Sequence, residues 1–275
     1  TLSLDYSPLM MEGRQMQFEI GGAPITADLK ISGFPEKPQV DIKVSAAEMK
    51  PLEVWRSAEV FLKRKDADGG TLSYDQAKKF IQNIFPEDQS LKNLAAEIIY
   101  AEGVWNASSL QFEAYQGKAK FVGALNLNGP EAEYGFDAEL QGLDLGLFLG
   151  RQDVLKKVLE GALDLKGSMA GKGWGLEAWS KSLEGQGEWT LKSGRFVTFD
   201  PKDAIATLEH FSDLGAIRPS FREFDSMNFE WKIGNAKAAT DNLLVKSADY
   251  VMDGEGTLGF DGLANFRLDM FLSSD

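Results

Sequence analysis

Hydrophobic and polar residues alternate with a period of two along most of the chain, and turn formers cut the alternation into runs. In the first fifty residues, QMQFEI, PITADLKI and PQVDIKVSA read as strands, separated by Gly21-Gly22 and by Gly33, Pro35 and Pro38. From about Leu91 the runs lengthen. AAEIIYAEGVWNASSLQFEAYQ, KAKFVGALNLN and EAEYGFDAELQG predict an antiparallel meander turning at Gly117 and at Asn128-Gly129-Pro130. About four more strands fall between Met227 and Leu272.

Helical periodicity interrupts this pattern in a few places. PLEVWRSAEVFLKRK sets Leu52, Trp55, Val60 and Leu62 near one helix face, with Pro51 at its start. YDQAKKFIQNIF predicts a second helix, and RQDVLKKVLEG a third, bounded by Gly150 and Gly161. In DPKDAIATLEHF, Asp200 suits an N-cap and Pro201 the first helical position. Three regions follow: N-terminal strands over 1–50, a helical insertion over 51–90 acting as a lid or plug, and a β-rich region over 91–275. The expected fold is mainly β with a few helices. A long curved antiparallel sheet forms an apolar groove, and the helices pack on or across its concave side, with glycines permitting the bends.

Composition narrows the chemistry. With 275 residues the chain can bury a substantial core. The net charge of −13 excludes nucleic acid as a partner, since phosphate binding needs clustered Lys and Arg. It also disfavours unaided docking on an anionic bilayer. Zero Cys removes disulfides and thiolate metal sites, and suits an oxidising compartment. No run reaches the ~18 apolar residues of a membrane span. A chain opening on TLSLDYS, already alternating, looks excised from something longer.

The chemical motifs reduce to structural ones. KRKDADGGTLSYDQAKKF imitates a calcium loop through Asp66, Asp68 and Gly70, but its fifth position is Gly70 and its twelfth Ala77, so key oxygen ligands are missing. It reads as a polar turn between helices. Gly171-Lys172-Gly173-Trp174-Gly175 imitates a dinucleotide loop, which requires parallel strands that short turns do not give. His210 is the sole histidine and supports neither a zinc site nor a triad. The acidic residues mostly occupy polar beats of strands, as Glu113 and Asp137 do, so no carboxylate pair marks a hydrolase. The chain is expected to be non-enzymatic and to need no cofactor or metal.

The aromatic alternation has more reach. Phe229, Trp231 and Ile233 share one strand face with Met227; Tyr134 and Phe136 share another with Ala138; Phe266, Leu268 and Met270 repeat the pattern, and Phe112 and Phe121 can join them. By itself this is the inner face of a curved sheet. Left partly open, the same face is an apolar groove for a ligand or lipid.

One stretch carries a family resemblance. From Leu143 to Asp200, Leu149, Gly161, Leu163, Leu165, Gly171, Gly173, Ser182, Leu183, Gly185, Leu191, Gly194 and Asp200 follow one another in an order similar to the C-terminal region of AsmA-like proteins. Tyr115 and Gly117 resemble that family's "Y-x-G" turn, and Gly254, Gly256 and Leu258 its closing step. The likeness covers residues ~90–275 well and 1–50 loosely, and the 51–88 insertion departs from it. It implies a periplasmic protein of a Gram-negative bacterium, anchored in the inner membrane by an N-terminal helix. The partners implied are phospholipids or other acyl-chain lipids, moved along a β-groove toward the outer membrane, and envelope proteins. The alternative is an envelope assembly module that binds a protein and carries no lipid.

Overall fold

Strict alternation with short turns folds as a ribbon of hairpins. In the computed structural model, fourteen strands each pair antiparallel with the next, so sheet order is sequence order from β1 to β14. The structure describes residues 3–7, 10–33, 36–53, 82, 85, 89–150, 159–173, 176–197 and 222–273. The first strands are β1 (Ser3–Ser7), β2 (Met10–Ile20), β3 (Ala23–Ser32) and β4 (Gln39–Met49). The middle ones are β5 (Leu91–Ala101), β6 (Val104–Ala114), β7 (Gly117–Asn126), β8 (Glu133–Asp144), β9 (Leu159–Lys172) and β10 (Glu184–Phe196). The last are β11 (Glu223–Gly234), β12 (Lys237–Lys246), β13 (Tyr250–Gly259) and β14 (Ala264–Leu272). The chain is thus mainly β, one open, curved antiparallel sheet with few helices.

Four hairpins close through two residues with positive φ at both: Gly21-Gly22, Glu102-Gly103, Tyr115-Gln116 and Asn235-Ala236. Two positive φ values define the turn whose twist matches that of the flanking strands. The "Y-x-G" signal therefore marks a turn at Tyr115-Gln116, with Gly117 already the first residue of β7.

Two short helices sit at opposite margins of the sheet. α1 (Leu145–Leu149) follows β8, and the Asp144 carboxylate caps it by accepting from Leu147 N at 2.9 Å. α2 (Leu176–Ser182) bridges β9 to β10, where the Ser182 hydroxyl accepts from Lys172 N at 2.9 Å and fastens the helix to the strand end. The other helical expectations lie outside the described residues apart from a first turn at 51–53, as do the calcium-like segment and His210. One is corrected: residues 159–161 belong to β9, not to a third helix. Gly161, at φ 143°, is a strand residue against which Leu191 packs, since a Cβ there would lie 3.0 Å from the Leu191 side chain.

The antiparallel order puts the ends of all even strands at one margin. The three longest connections, 50–90, 145–158 and 197–222, therefore leave and re-enter there. Among the described strands eight register shifts interrupt the ladders; three of them, beside the positive-φ residues Asn93, Gly142 and Ser193, lie at that same margin, and the one beside Gln15 lies mid-strand. Such bulges bend the strand and raise its twist, so this margin curls. A bulge also breaks the ladder, and at three of them a side chain across the strand repairs it. Asp28 Oδ1 accepts from Gln15 N at 2.7 Å, Asp164 Oδ1 from Gly142 N at 2.7 Å, and on β11 Asn242 Oδ1 from Glu230 N at 2.8 Å.

Asp164 also meets the Lys192 ammonium at 2.7 Å. That bond holds its carboxyl below the usual carboxylate range; partial burial opposes the shift and the Gly142 N–H adds to it. Asp164→Ala should cost about 1 kcal/mol or less, since the pair is largely solvated. The folded pKa lies below the unfolded value of about 3.9, so the contribution is complete above that pH and fades as pH falls through the folded pKa. Urea titrations of the two proteins should accordingly separate above about pH 4 and converge in acid.

Candidate functional site

Register decides what each face of the sheet presents, because directly paired residues point to the same side. Gly13 on β2 pairs with Leu29, and the row continues through Ile42, Ile98, Ala107, Gly123 and Phe136 on β8. From there it passes Met169, Gly185, Ile233, Ala238 and Leu258 to Ala264 on β14. No polar residue interrupts it. A parallel row runs from Met16 through Ala27, Val44, Ala96, Leu110, Phe121, Ala138, Gly167 and Gly187 to Trp231.

A third row, along the curled margin, forms the core. Leu143, Leu163, Leu191, Met227, Val245 and Met252 are partners in turn, and Leu145 of α1 packs on them. Leu191 and Val245 are 0% exposed. Burial falls away from this margin. Phe266 and Leu268 on β14 are 48% and 42% exposed and Trp105 is 38% exposed, while Phe18, on β2 near the curled margin, is 42% exposed.

All ten groove candidates fall on this one face. Phe112 stacks on Phe121 at 5.9 Å. Phe229 stacks on Trp189 at 5.4 Å, a groove residue that the sequence reading passed over. Tyr100, paired with Trp105 at 4.8 Å, and Met169 were also missed, although alternation in their strands placed them equally well. Met270 sits opposite Met252, in the core row.

The glycines have a role that the expectation of bends did not contain. Many stand directly opposite a large side chain, and that side chain lies over them. A Cβ on Gly187 would come within 2.6 Å of Trp231 Cζ2, and one on Gly167 within 2.5 Å of the same atom. Likewise Tyr134 covers Gly171, Phe266 covers Gly256 and Leu268 covers Gly254. A ring laid over its neighbour's glycine covers backbone that would otherwise be bare. It also keeps the ring low, so the face is lined by broad apolar surfaces rather than by protruding side chains.

Polar chemistry belongs to the other face. Lys120, Glu139, Lys166, Glu188 and Glu230 are consecutive partners across β7–β11, facing away from Trp231 and Phe121. The Lys43–Glu97 and Lys192–Asp164 pairs, at 2.9 and 2.7 Å, lie on this side and are exposed. A broad hollow on it, of about 700 Å³, is lined by these charged residues with Asp137 and Lys232. Opposite charges alternate along most of it, which suits solvation rather than capture of an ion. Among the described residues, no group of three acidic or histidine side chains is arranged to hold a metal, and no helix is long and apolar enough to cross a membrane.

Among the described residues of the apolar face, the buried indole Nε1 donors of Trp189 and Trp231 have no partner. Compared with known protein families, with curated proteins and with solved structures, the chain matches none. The likeness to AsmA-like proteins therefore rests on the sequence pattern alone.

Gly187→Ala tests the ring bed directly. Its Cβ would clash with the Lys166 carbonyl oxygen and with the Gly167 Cα, 2.7 Å away, as well as with Trp231, so the β9 backbone and the indole must both shift. Overpacking of this kind should cost about 1–3 kcal/mol in chemical denaturation. The change should also appear in tryptophan fluorescence. Gly234→Ala, with nothing within 4 Å of its Cβ, should leave both unchanged within about 0.5 kcal/mol.

Proposed function

We propose that this chain binds acyl-chain lipids, phospholipids first among them, along its apolar face and helps to move them between membranes without catalysing a reaction. The observation that supports the reading is the unbroken row from Gly13 to Ala264. It is apolar on every strand it crosses, and its opposite face is charged. At a strand spacing of about 4.8 Å, thirteen strands make a track of roughly 60 Å, longer than a bilayer is thick. Such a face gives each buried methylene about 0.8 kcal/mol and asks nothing of the head group. A chain could slide from one strand to the next with little change in energy, because each step exchanges one apolar neighbour for another.

On this reading the protein works in the periplasm of a Gram-negative bacterium, held at the inner membrane by a segment preceding Thr1, as the resemblance to AsmA-like proteins suggests. The insertion over 51–90 would act as a lid or plug, entering beside the track between β4 and β5. The assembly-module alternative predicts a face sealed by its own side chains, and the exposure of Phe18, Trp105, Phe266 and Leu268 favours the lipid reading.

Mass spectrometry of lipids co-purifying with the chain from a membrane-containing lysate tests this. Phe136 and Ile233 are half-buried members of the apolar row, so Phe136→Glu and Ile233→Glu place a charge on the track outside the core. Trp231, at 9% exposure, is too buried for such a test. Near-stoichiometric phospholipid in the wild type, lost from both folded variants, is the expected result. Val122→Glu, on the opposite face beside Phe121, should keep its lipid. Absence of lipid from the wild type, or its retention in both track variants, would leave the assembly module as the better account.

A further inference from the structure

The apolar face changes in character along its strands. At the margin away from the long connections, Val40, Tyr100, Trp105, Leu125 and Tyr134 are partners in turn across β4–β8. Tyrosine and tryptophan rings have an apolar body and a polar tip, and they settle where an apolar phase meets water. Charged side chains stand beside this rim: Glu102 pairs with Lys37 at 2.9 Å, and Glu133 with Lys172, all four exposed. Six residues further along β8, another row crosses β6–β11 through Phe112, Ala119, Leu140, Leu165, Trp189 and Phe229. Between the two rows, across β6–β11, the aromatic residues are Phe121 and Phe136, which have no polar tip, and Trp231, whose indole N–H is covered. Directly behind the inner row stands the buried row of Leu143, Leu163, Leu191 and Met227, with Leu145 of α1 packed on it. The face is therefore a slot, open to water at one margin and closed by the core at the other.

Building on the lipid reading, we propose that an acyl tail lies along the strands in this slot, from the Tyr100–Trp105–Tyr134 rim to the wall of the core, and that the slot's depth gauges the tail's length. Tyr134 and Leu140 are six residues apart, ~20 Å at about 3.4 Å each. A fully extended chain advances ~1.2 Å per bond, as a peptide backbone does. About 16 carbons therefore fit between rim and wall, and carbons beyond that find no apolar floor. The head group stays at the rim in water and travels from strand to strand with its tail. A tail laid across the strands instead would meet no wall, because the apolar row continues from β2 to β14.

Phosphatidylcholine vesicles holding equal amounts of tails from about 12 to about 22 carbons test the gauge, with mass spectrometry of the lipid that the chain withdraws. A methylene is as apolar in the bilayer as in the slot, so tails that fit should be withdrawn evenly. Beyond about 16 carbons each further methylene leaves the slot for water, and capture should fall roughly fourfold per methylene. Leu165→Gln places an amide in the inner row and shortens the slot by ~7 Å, so the break should move down by about five carbons. Tails carrying bromine near the carbonyl end or near the methyl end give a second measurement that leaves the wall untouched. Carbonyl-end bromine should quench Trp105, a component that disappears in Trp105→Phe, whereas methyl-end bromine should quench both proteins equally. Even capture up to the longest tails, a break left in place by folded Leu165→Gln, or Trp105 quenched alike from both ends would overturn the gauge while leaving lipid binding intact. Withdrawal of no lipid at all would overturn the lipid reading and the gauge together.

Discussion

Parity of register is the constraint on which the rest of this molecule depends. Side chains alternate across a strand, so a slip of one residue in any of thirteen strand pairings would exchange the apolar and polar faces beyond it. A small globular core would tolerate one such error locally. Here the rows cross the whole sheet, and an error at β5 would place charged residues in line with Ile42 on one side and break the track. The bulges are the points of danger, because each inserts an unpaired residue. Capping by Asp28, Asp164 and Asn242 fixes where the extra residue sits, and pairing resumes with apolar residues on their proper side.

The same bulges help to explain the division between core and open face. Three of them, at Asn93, Gly142 and Ser193, lie at one margin, where local twist rises, the long connections emerge and α1 packs. The row nearest that margin, from Leu143 to Met252, is buried. Rows farther away rely on rings laid over glycines instead of on a second layer. Stacked layers and flat rings are two solutions to one problem, since apolar residues must shed water either against another element or against the sheet's own backbone. The second leaves a broad surface still available for contact.

Much of the fold was legible because period-two alternation is a direct signal, and the ten aromatic and aliphatic groove residues emerged on one face for that reason. Four features were harder to read. Gln15, Asn93 and Ser193 adopt positive φ without being glycine, so nothing local announced their bulges. The run to Gly161 satisfied a helical period and a glycine stop, yet Leu159–Gly161 joins β9 because Arg195 and Phe196 pair with Glu160 and Leu159. Trp189 escaped notice because Gly185 and Gly187, its neighbours on the same face, make its strand look like a turn. The glycines themselves looked like hinges, and only the cross-strand partner reveals that Gly187 is a bed for Trp231. For Gly187 that partner lies more than forty positions further along the chain.

On the proposed function, a face built this way would select ligands by area more than by chemistry. Among the described residues, the Trp189 and Trp231 indole donors on this face have no partner and are covered, so neither is placed to hold a head group. Affinity then rises with the number of methylenes laid down, by about 0.8 kcal/mol each, and changes little with the polar end. Such a surface discriminates poorly between lipids of equal chain length. It also offers no single strong site at which a lipid would stall. A pocket with directed hydrogen bonds would gain selectivity and lose mobility, because a ligand held well at one strand must break those bonds to reach the next. Uniform glycine-and-ring paving avoids that barrier, and the charged opposite face keeps one side of so long an apolar sheet in water.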